Sequence, residues 1–214
     1  MAGNIPALAD LEKYNVNRPG DIEGIRSSLY DFQTYAALGT TQMTFFAVPI
    51  GQSAKTKFDT NMEVAGSLPA PKRFLIDTIE VYFYPGSAVD TFATVAAALP
   101  AQADDVYTFA KNGWLDLFIG SKSYLTESPL GRLPPTTGVK LTTAIATNSA
   151  TTSEVKSEYA VAGGQPYRLD PPILLVPTQN FNVTLNWPVA IAMPSTIAAR
   201  VGVVFKGILY RNSQ

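Results

Sequence analysis

Residues 181–188 read Phe181-Asn182-Val183-Thr184-Leu185-Asn186-Trp187-Pro188. On an extended chain Phe181, Val183, Leu185 and Trp187 fall on one side, and Asn182, Thr184 and Asn186 on the other. A period of two, with one apolar and one polar face, is the pattern of a β-strand that covers a core. Phe181 and Trp187 are therefore expected in that core. Pro188 has no N–H to give to a ladder and closes the strand. Residues 171–177 (PPILLVP) are an apolar run bracketed by prolines, and residues 200–211 (RVGVVFKGILYR) make a long last strand.

The same logic works backward along the chain. In residues 114–120 (WLDLFIG), Leu115, Leu117 and Ile119 alternate with Trp114, Asp116 and Phe118. In residues 74–85 (FLIDTIEVYFYP), strict alternation puts Leu75, Ile79, Val81 and Phe83 on one face with Asp77. It puts Phe74, Ile76, Thr78, Glu80, Tyr82 and Tyr84 on the other. A strand apolar on both faces suits a sheet packed inside and covered outside, by a neighbour or by the chain's own helix. Residues 41–50 (TQMTFFAVPI) are a further β-rich run, stopped by Pro49 and Gly51.

Two stretches carry helical signals. Ile25, Leu29, Phe32 and Ala36 recur at helical spacing, so a short helix is expected over 25–38, ended by Gly39. Residues 88–111 read as a helical insertion, Ala-rich over VDTFATVAAAL, broken at Pro100, resumed over ADDVYTFAK and stopped at Asn112-Gly113. Residues 136–158, rich in Thr, Ser and Ala, suggest a weak strand (VKLTTAIAT) and a mobile loop. Residues 1–24 contain Gly3, Gly20, Gly24, Pro6 and Pro19 with few apolar anchors, the composition of an extended N-terminal arm.

About eight strands without regular strand–helix alternation exclude a parallel α/β sheet and point to an all-β fold. The expected architecture is an antiparallel jelly-roll sandwich. Residues 1–40 would form the arm and short helix. Residues 41–214 would form a single jelly-roll β-sandwich domain with the helical insertion at 88–111.

Composition narrows the chemistry. Of 214 residues, 46% are hydrophobic and 15% charged, with net charge −1. The charged share is below the roughly 25% usual in soluble domains, and surplus apolar surface marks contacts with partners. Lysines and arginines are scattered rather than clustered, so no specific nucleic-acid recognition is expected. The chain has no cysteine and no histidine. Disulfides, thiolate metal sites, Ser-His-Asp and Cys-His catalysis and His-ligated metals are thereby excluded. The first residues, MAGNIPALADLEKYN, lack the apolar segment of a secretory signal. No stretch approaches the roughly 20 apolar residues that span a bilayer.

The remaining motifs weigh towards structure. Asn182-Val183-Thr184 matches a glycosylation sequon but lies on the polar face of a strand. Asp104-Asp105 could bind Ca²⁺ or act as paired carboxylates, although acids at a helix start serve more often as dipole partners. Gly163-Gly164 is too short for a phosphate loop and reads as a turn. Asp116 and Lys122 bracket a strand end and would be catalytic only within a pocket. No catalytic, cofactor-binding or metal-binding residue is assigned, and the chain is not expected to be an enzyme. The 10 tyrosines and 11 phenylalanines suit core and interface packing better than sugar stacking.

Several stretches resemble jelly-roll capsid proteins of tailless icosahedral bacteriophages. They are Phe45-Phe46 through Gly51, Thr60-Asn61-Met62, Ala65-Gly66 through Pro69, and Phe74 to Pro85. Gly120 to Leu125, Pro171 to Trp187 and Gly207 to Arg211 complete the set, which spans about residues 40–214. Double jelly-roll members are longer than this chain, which favours one jelly roll. The resemblance implies a structural virion protein, a capsid subunit that self-assembles into an icosahedral shell around the genome. Its partners would be copies of itself in a trimer or higher capsomer, other virion proteins and, as in some relatives, an internal membrane. Its place would be the virion, after synthesis in the host cytoplasm. Two other classes stand beside this one. A phage spike or receptor- or carbohydrate-binding sandwich would show aromatics on a concave face beside Asp and Asn. A carboxylate glycosidase would place two acids across a cleft.

Overall fold

Alternation of the kind seen at 181–188 becomes alternation of burial. Along Phe181–Asn186, Phe181, Val183 and Leu185 are buried while the residues between them reach solvent. Trp114–Ile119 repeats this, with Leu115, Leu117 and Ile119 buried. The computed structural model describes residues 22–86, 104–135, 139–148, 152–161 and 165–212. Its strands are β1 (Ile22–Tyr35), β2 (Gln42–Phe45), β3 (Arg73–Tyr84), β4 (Trp114–Ile119) and β5 (Lys122–Pro129). They continue with β6 (Val139–Asn148), β7 (Thr152–Val161), β8 (Tyr167–Leu175), β9 (Phe181–Asn186) and β10 (Ala199–Asn212). Residues 104–112 are helical and are called α1.

One sheet has the order β1-β10-β3-β8, a second has β2-β9-β4-β5, and β6 pairs with β7 alone. Every pairing is antiparallel. The two four-stranded sheets share one core. Phe74, Ile79, Val203 and Phe205 come to it from the first sheet, and Leu115, Leu117, Val183 and Leu185 from the second. The protein is thus an antiparallel β-sandwich. Each such side chain contributes about 1.5–3 kcal/mol through burial. Rings organise both halves of the core. Phe46 stacks on Phe205 at 4.8 Å. Phe109 of α1 meets Phe83 at 4.5 Å and Trp187 at 5.3 Å, and Trp187 meets Tyr35 at 5.3 Å. Helix α1 is held to the sandwich by these contacts and by the Trp187 indole N–H, which donates to the Phe109 carbonyl at 3.3 Å.

The structure corrects four expectations. The helix expected over 25–38 is strand β1, paired with β10 along its whole length from Ile22↔Asn212 to Tyr35↔Ala199. The helical spacing of Ile25, Leu29 and Phe32 divides between the two faces of a strand, and the long ladder overrides local propensity. β1 therefore belongs to the sandwich, and residues 1–21 of the expected arm lie outside the described residues. The strand expected over 41–50 ends at Phe45, because Phe46 takes a φ of 66°. The mobile loop expected within 136–158 is instead the β6–β7 hairpin. Finally, the faces of β3 exchange at Asp77. The register shifts there, between Ile76 and Thr78 against β8 and between Lys206 and Gly207 in β10. Phe74 and Ile76 consequently join Ile79 and Val81 in the main core, while Leu75 packs outside with Ile208 and Tyr210. Of the helical insertion at 88–111, residues 88–103 lie outside the described residues.

Candidate interaction surfaces

The outer face of the first sheet is built row by row from register. Thr34, Arg200 and Tyr84 form one row, Phe32, Gly202 and Tyr82 the next, and Tyr30, Val204 and Glu80 the third. Diagonal and opposite neighbours on one face are within reach of aromatic rings. Phe32 lies 6.2 Å from Tyr82, 6.2 Å from Tyr84 and 6.1 Å from Tyr30. It can lie flat because Gly202 is beneath it, where a Cβ would stand 2.1 Å from the ring. The Arg200 guanidinium is sandwiched between Phe32, at 4.3 Å, and Phe58, at 3.7 Å. It also donates to the Phe58 carbonyl at 2.6 Å. Phe58 is 71% exposed and Tyr84 38%. Burial raises the Tyr84 phenol, partly offset by Arg200. Below this layer the buried Glu80 carboxylate accepts from Lys206 at 2.7 Å and from the Tyr82 hydroxyl at 2.8 Å. The result is a partly exposed plate of rings and paired charges, in which Tyr84 stacks on Phe32 while Tyr30 and Tyr82 tilt against it.

The loop that carries Phe58 is clamped to the free edge of β1. Phe32 N–H donates to the Asp59 carbonyl at 2.7 Å, Tyr30 N–H to Asn61 Oδ1 at 2.9 Å, and Asn61 Nδ2 to the Ser28 carbonyl at 2.7 Å. Asp31, wholly buried, accepts from Phe46 N–H at 2.7 Å and pairs with Lys55. Burial pushes its carboxyl above the usual range, against the lowering effect of Lys55 and Phe46 N–H. Asp59 moves the other way. Hydrogen bonds from Thr56, with help from Arg200, hold it below the usual range. These contacts cap part of an edge that would otherwise offer open pairing sites.

The outer face of the second sheet is of another kind. Gln42, Asn186 and Trp114 stand in one row, and Thr44, Thr184 and Asp116 in the next. They interlock. Gln42 Nε2 donates to Asn186 Oδ1 at 2.9 Å, and Asn186 Nδ2 donates to Asp116 Oδ2 at 2.9 Å and to Thr184 Oγ1 at 3.1 Å. The Trp114 indole N–H reaches the same Asp116 oxygen at 3.2 Å, and Glu127 N–H donates to the other at 2.5 Å.

The sequence candidates separate in space. Asp105 is buried, accepting Ser195 N–H at 2.9 Å and its hydroxyl at 2.5 Å, whereas Asp104 is exposed. The pair is thus no shared carboxylate site, and Asp105 ties α1 to the segment before β10. Asp116 receives Trp114, Asn186 and Glu127, while Lys122 opens β5 opposite Ile119. Asn182 and Thr184 lie on the outward face of β9, as the alternation requires. Gly163-Gly164 lies outside the described residues. Among the described residues no group of His, Cys, Asp or Glu is arranged to hold a metal, and no helix is long and apolar enough to cross a membrane. Arg200, Phe58 and Gly202 carried no local signal, because strand register brings residues 32, 84 and 200 together and the loop clamped to β1 lays Phe58 over them.

No known protein family, curated protein or solved structure matches the chain.

Proposed function

We propose that this protein is a shell-forming virion subunit built on one jelly roll, as the resemblance to tailless-phage capsid proteins implies. The strand order carries the proposal. Counting only the eight sandwich strands in chain order, the sheets run 1-8-3-6 and 2-7-4-5. Most steps along the chain change sheet, as two Greek keys wrapped into a jelly roll require, and this supports the jelly-roll reading, with β6–β7 as an inserted hairpin. Jelly rolls serve in viral shells and in lectins, so the surface must supply the rest. The ring plate on the first sheet supports assembly. Tyrosine, phenylalanine and arginine are the residues enriched at subunit contacts, and rings that already pack on one another lose little freedom on docking. In this reading the plate meets copies of the same chain in a trimer or higher capsomer. Other virion proteins, and in some relatives an internal membrane, would border the shell.

Size-exclusion chromatography and negative-stain microscopy of the purified full chain test the proposal. The expected result is an oligomer at micromolar concentration and closed particles under assembly conditions. A sharp monomer peak at 23.0 kDa across a wide concentration range overturns it.

A further inference from the structure

We infer that the outer face of the second sheet binds neutral carbohydrate, with Trp114 and Phe118 as ring platforms flanking Asp116. This goes beyond the assembly proposed above and does not depend on it, since it uses the opposite side of the sandwich. The first support is composition. The three strands β2, β9 and β4 read QMTF, FNVTLN and WLDLFI and contain no lysine or arginine. Their outward side chains are amides, hydroxyls, two aromatic rings and one carboxylate. These three strands give a phosphate, a sulfate or an acidic sugar no cation to meet and offer donors and acceptors to sugar hydroxyls, and the fourth strand of the sheet, β5, carries one lysine, Lys122, at its start opposite Ile119.

The second support is preorganisation. A solvated strand face usually leaves its polar side chains loose. Here Gln42, Asn186, Asp116 and Trp114 form one connected chain of hydrogen bonds. The Asp116 carboxylate takes an additional bond from Glu127 N–H, at a residue held at a φ of 52°. A site fixed in this way loses little entropy on binding. Thr184 accepts from Asn186 at 3.1 Å, which leaves its hydroxyl proton to donate outward. Beside it, Thr44 and Asn182 are exposed.

The third support is spacing. Trp114 and Phe118 share a face four residues apart, so their backbone positions are about 13 Å apart along β4, with the Trp114 indole leaning towards Asp116 between them. That distance fits a short oligosaccharide lying along the strand rather than a single sugar. Among the described residues neither ring stacks on another aromatic ring, so the apolar face of a sugar could pack on both.

The test applies the full chain, labelled on lysine amines, to a printed array of neutral and sialylated oligosaccharides. Retention by neutral glycans, with no preference for sialylated ones, is expected. The best neutral glycan on the array is then titrated by isothermal titration calorimetry, which needs no tryptophan reporter, with an expected affinity on the order of 1 mM or tighter. Trp114→Ala should weaken binding by about tenfold or more. Tyr107→Ser, on α1 and 65% exposed, should bind as the natural chain does. Should Trp114→Ala not fold, Thr44→Lys decides, because its exposed edge position tolerates the change while the new side chain lies across the platform. No retention by any neutral glycan, preference for sialylated glycans, or full affinity in the variant that folds overturns the inference.

Discussion

The buried carboxylate of Asp31 accepts the backbone N–H of Phe46 at 2.7 Å, and Phe46 sits at a φ of 66°. A bulky side chain in the left-handed region costs about 1–3 kcal/mol and persists only where its surroundings over-determine it. Two anchors do so here, Asp31 on the N–H and Phe205 under the ring. The sharp bend turns the chain from β2 into the loop that covers the edge of β1.

Removing Asp31 should therefore release the loop as well as the core. Asp31→Ala leaves the Lys55 ammonium and the Phe46 N–H without their acceptor, and should cost about 3–5 kcal/mol in urea unfolding. Pairing Asp31→Leu with Lys55→Met should recover much of that loss, because an apolar pair of similar volume carries no buried charge. A double variant no more stable than the single one would show that the N–H bond to Phe46 dominates.

Asp31 and Asp59 should respond to pH with opposite sign. The folded carboxyl of Asp31 titrates above the ordinary aspartate value of 3.8, chiefly through burial. Its contribution to stability is thus fully present below the unfolded pKa and is lost as pH rises through the higher folded value. Asp59 titrates below 3.8, chiefly through the Thr56 backbone bond. Its contribution is present above the unfolded pKa and is lost as pH falls through the folded value. Against the natural chain, Asp31→Asn should gain in relative stability as pH rises from acid, and Asp59→Asn should lose. Urea midpoints measured from acid to neutral pH check both signs.

Gly202→Ala and Gly207→Ala should differ in kind. At Gly202 a Cβ meets the Phe32 ring at 2.1 Å, and that ring can lift from the sheet. The expected loss is about 1 kcal/mol of stability, together with weaker self-association because the plate is no longer flat. At Gly207 a Cβ meets the Leu75 carbonyl oxygen at 1.8 Å, and backbone cannot step aside within a paired ladder. That variant should lose about 3 kcal/mol or fail to fold.

Trp187→Ala should lower stability by about 3–5 kcal/mol, as deletion of a buried aromatic does. The indole is 3% exposed, packs on Tyr35 and Phe109, and donates to the Phe109 carbonyl. An unchanged melting temperature would contradict this packing.

Phe58→Ser and Tyr84→Ser together should impair oligomer formation and leave the melting temperature within about 3 °C, since both side chains are exposed. Sedimentation velocity beside thermal unfolding separates the two effects. A stable variant that still assembles would remove the ring plate from the subunit contact.

Strand identity in β4, β9 and β10 was legible in the sequence because alternation is a local property: every second side chain must face the core wherever the chain lies on it. The absence of histidine and cysteine was equally plain, and so were Phe181 and Trp187 as core residues. Other features required the ladder. Leu29 and Phe32 stand at helical spacing, yet the fourteen-residue pairing with β10 makes them strand and puts them on opposite faces. The exchange of faces at Asp77 follows from a bulge against two neighbouring strands, which strict alternation cannot reveal. Arg200 meets Phe32 across the β1–β10 ladder and Phe58 from a loop, and Asp116 meets Asn186 across the β4–β9 pairing and Glu127 at the irregularity of β5, all contacts between separate segments of the chain. Which residues share a periodic face is written along the chain. Which faces meet depends on hydrogen-bonded pairings between segments far apart in sequence, and only the folded sandwich decides those.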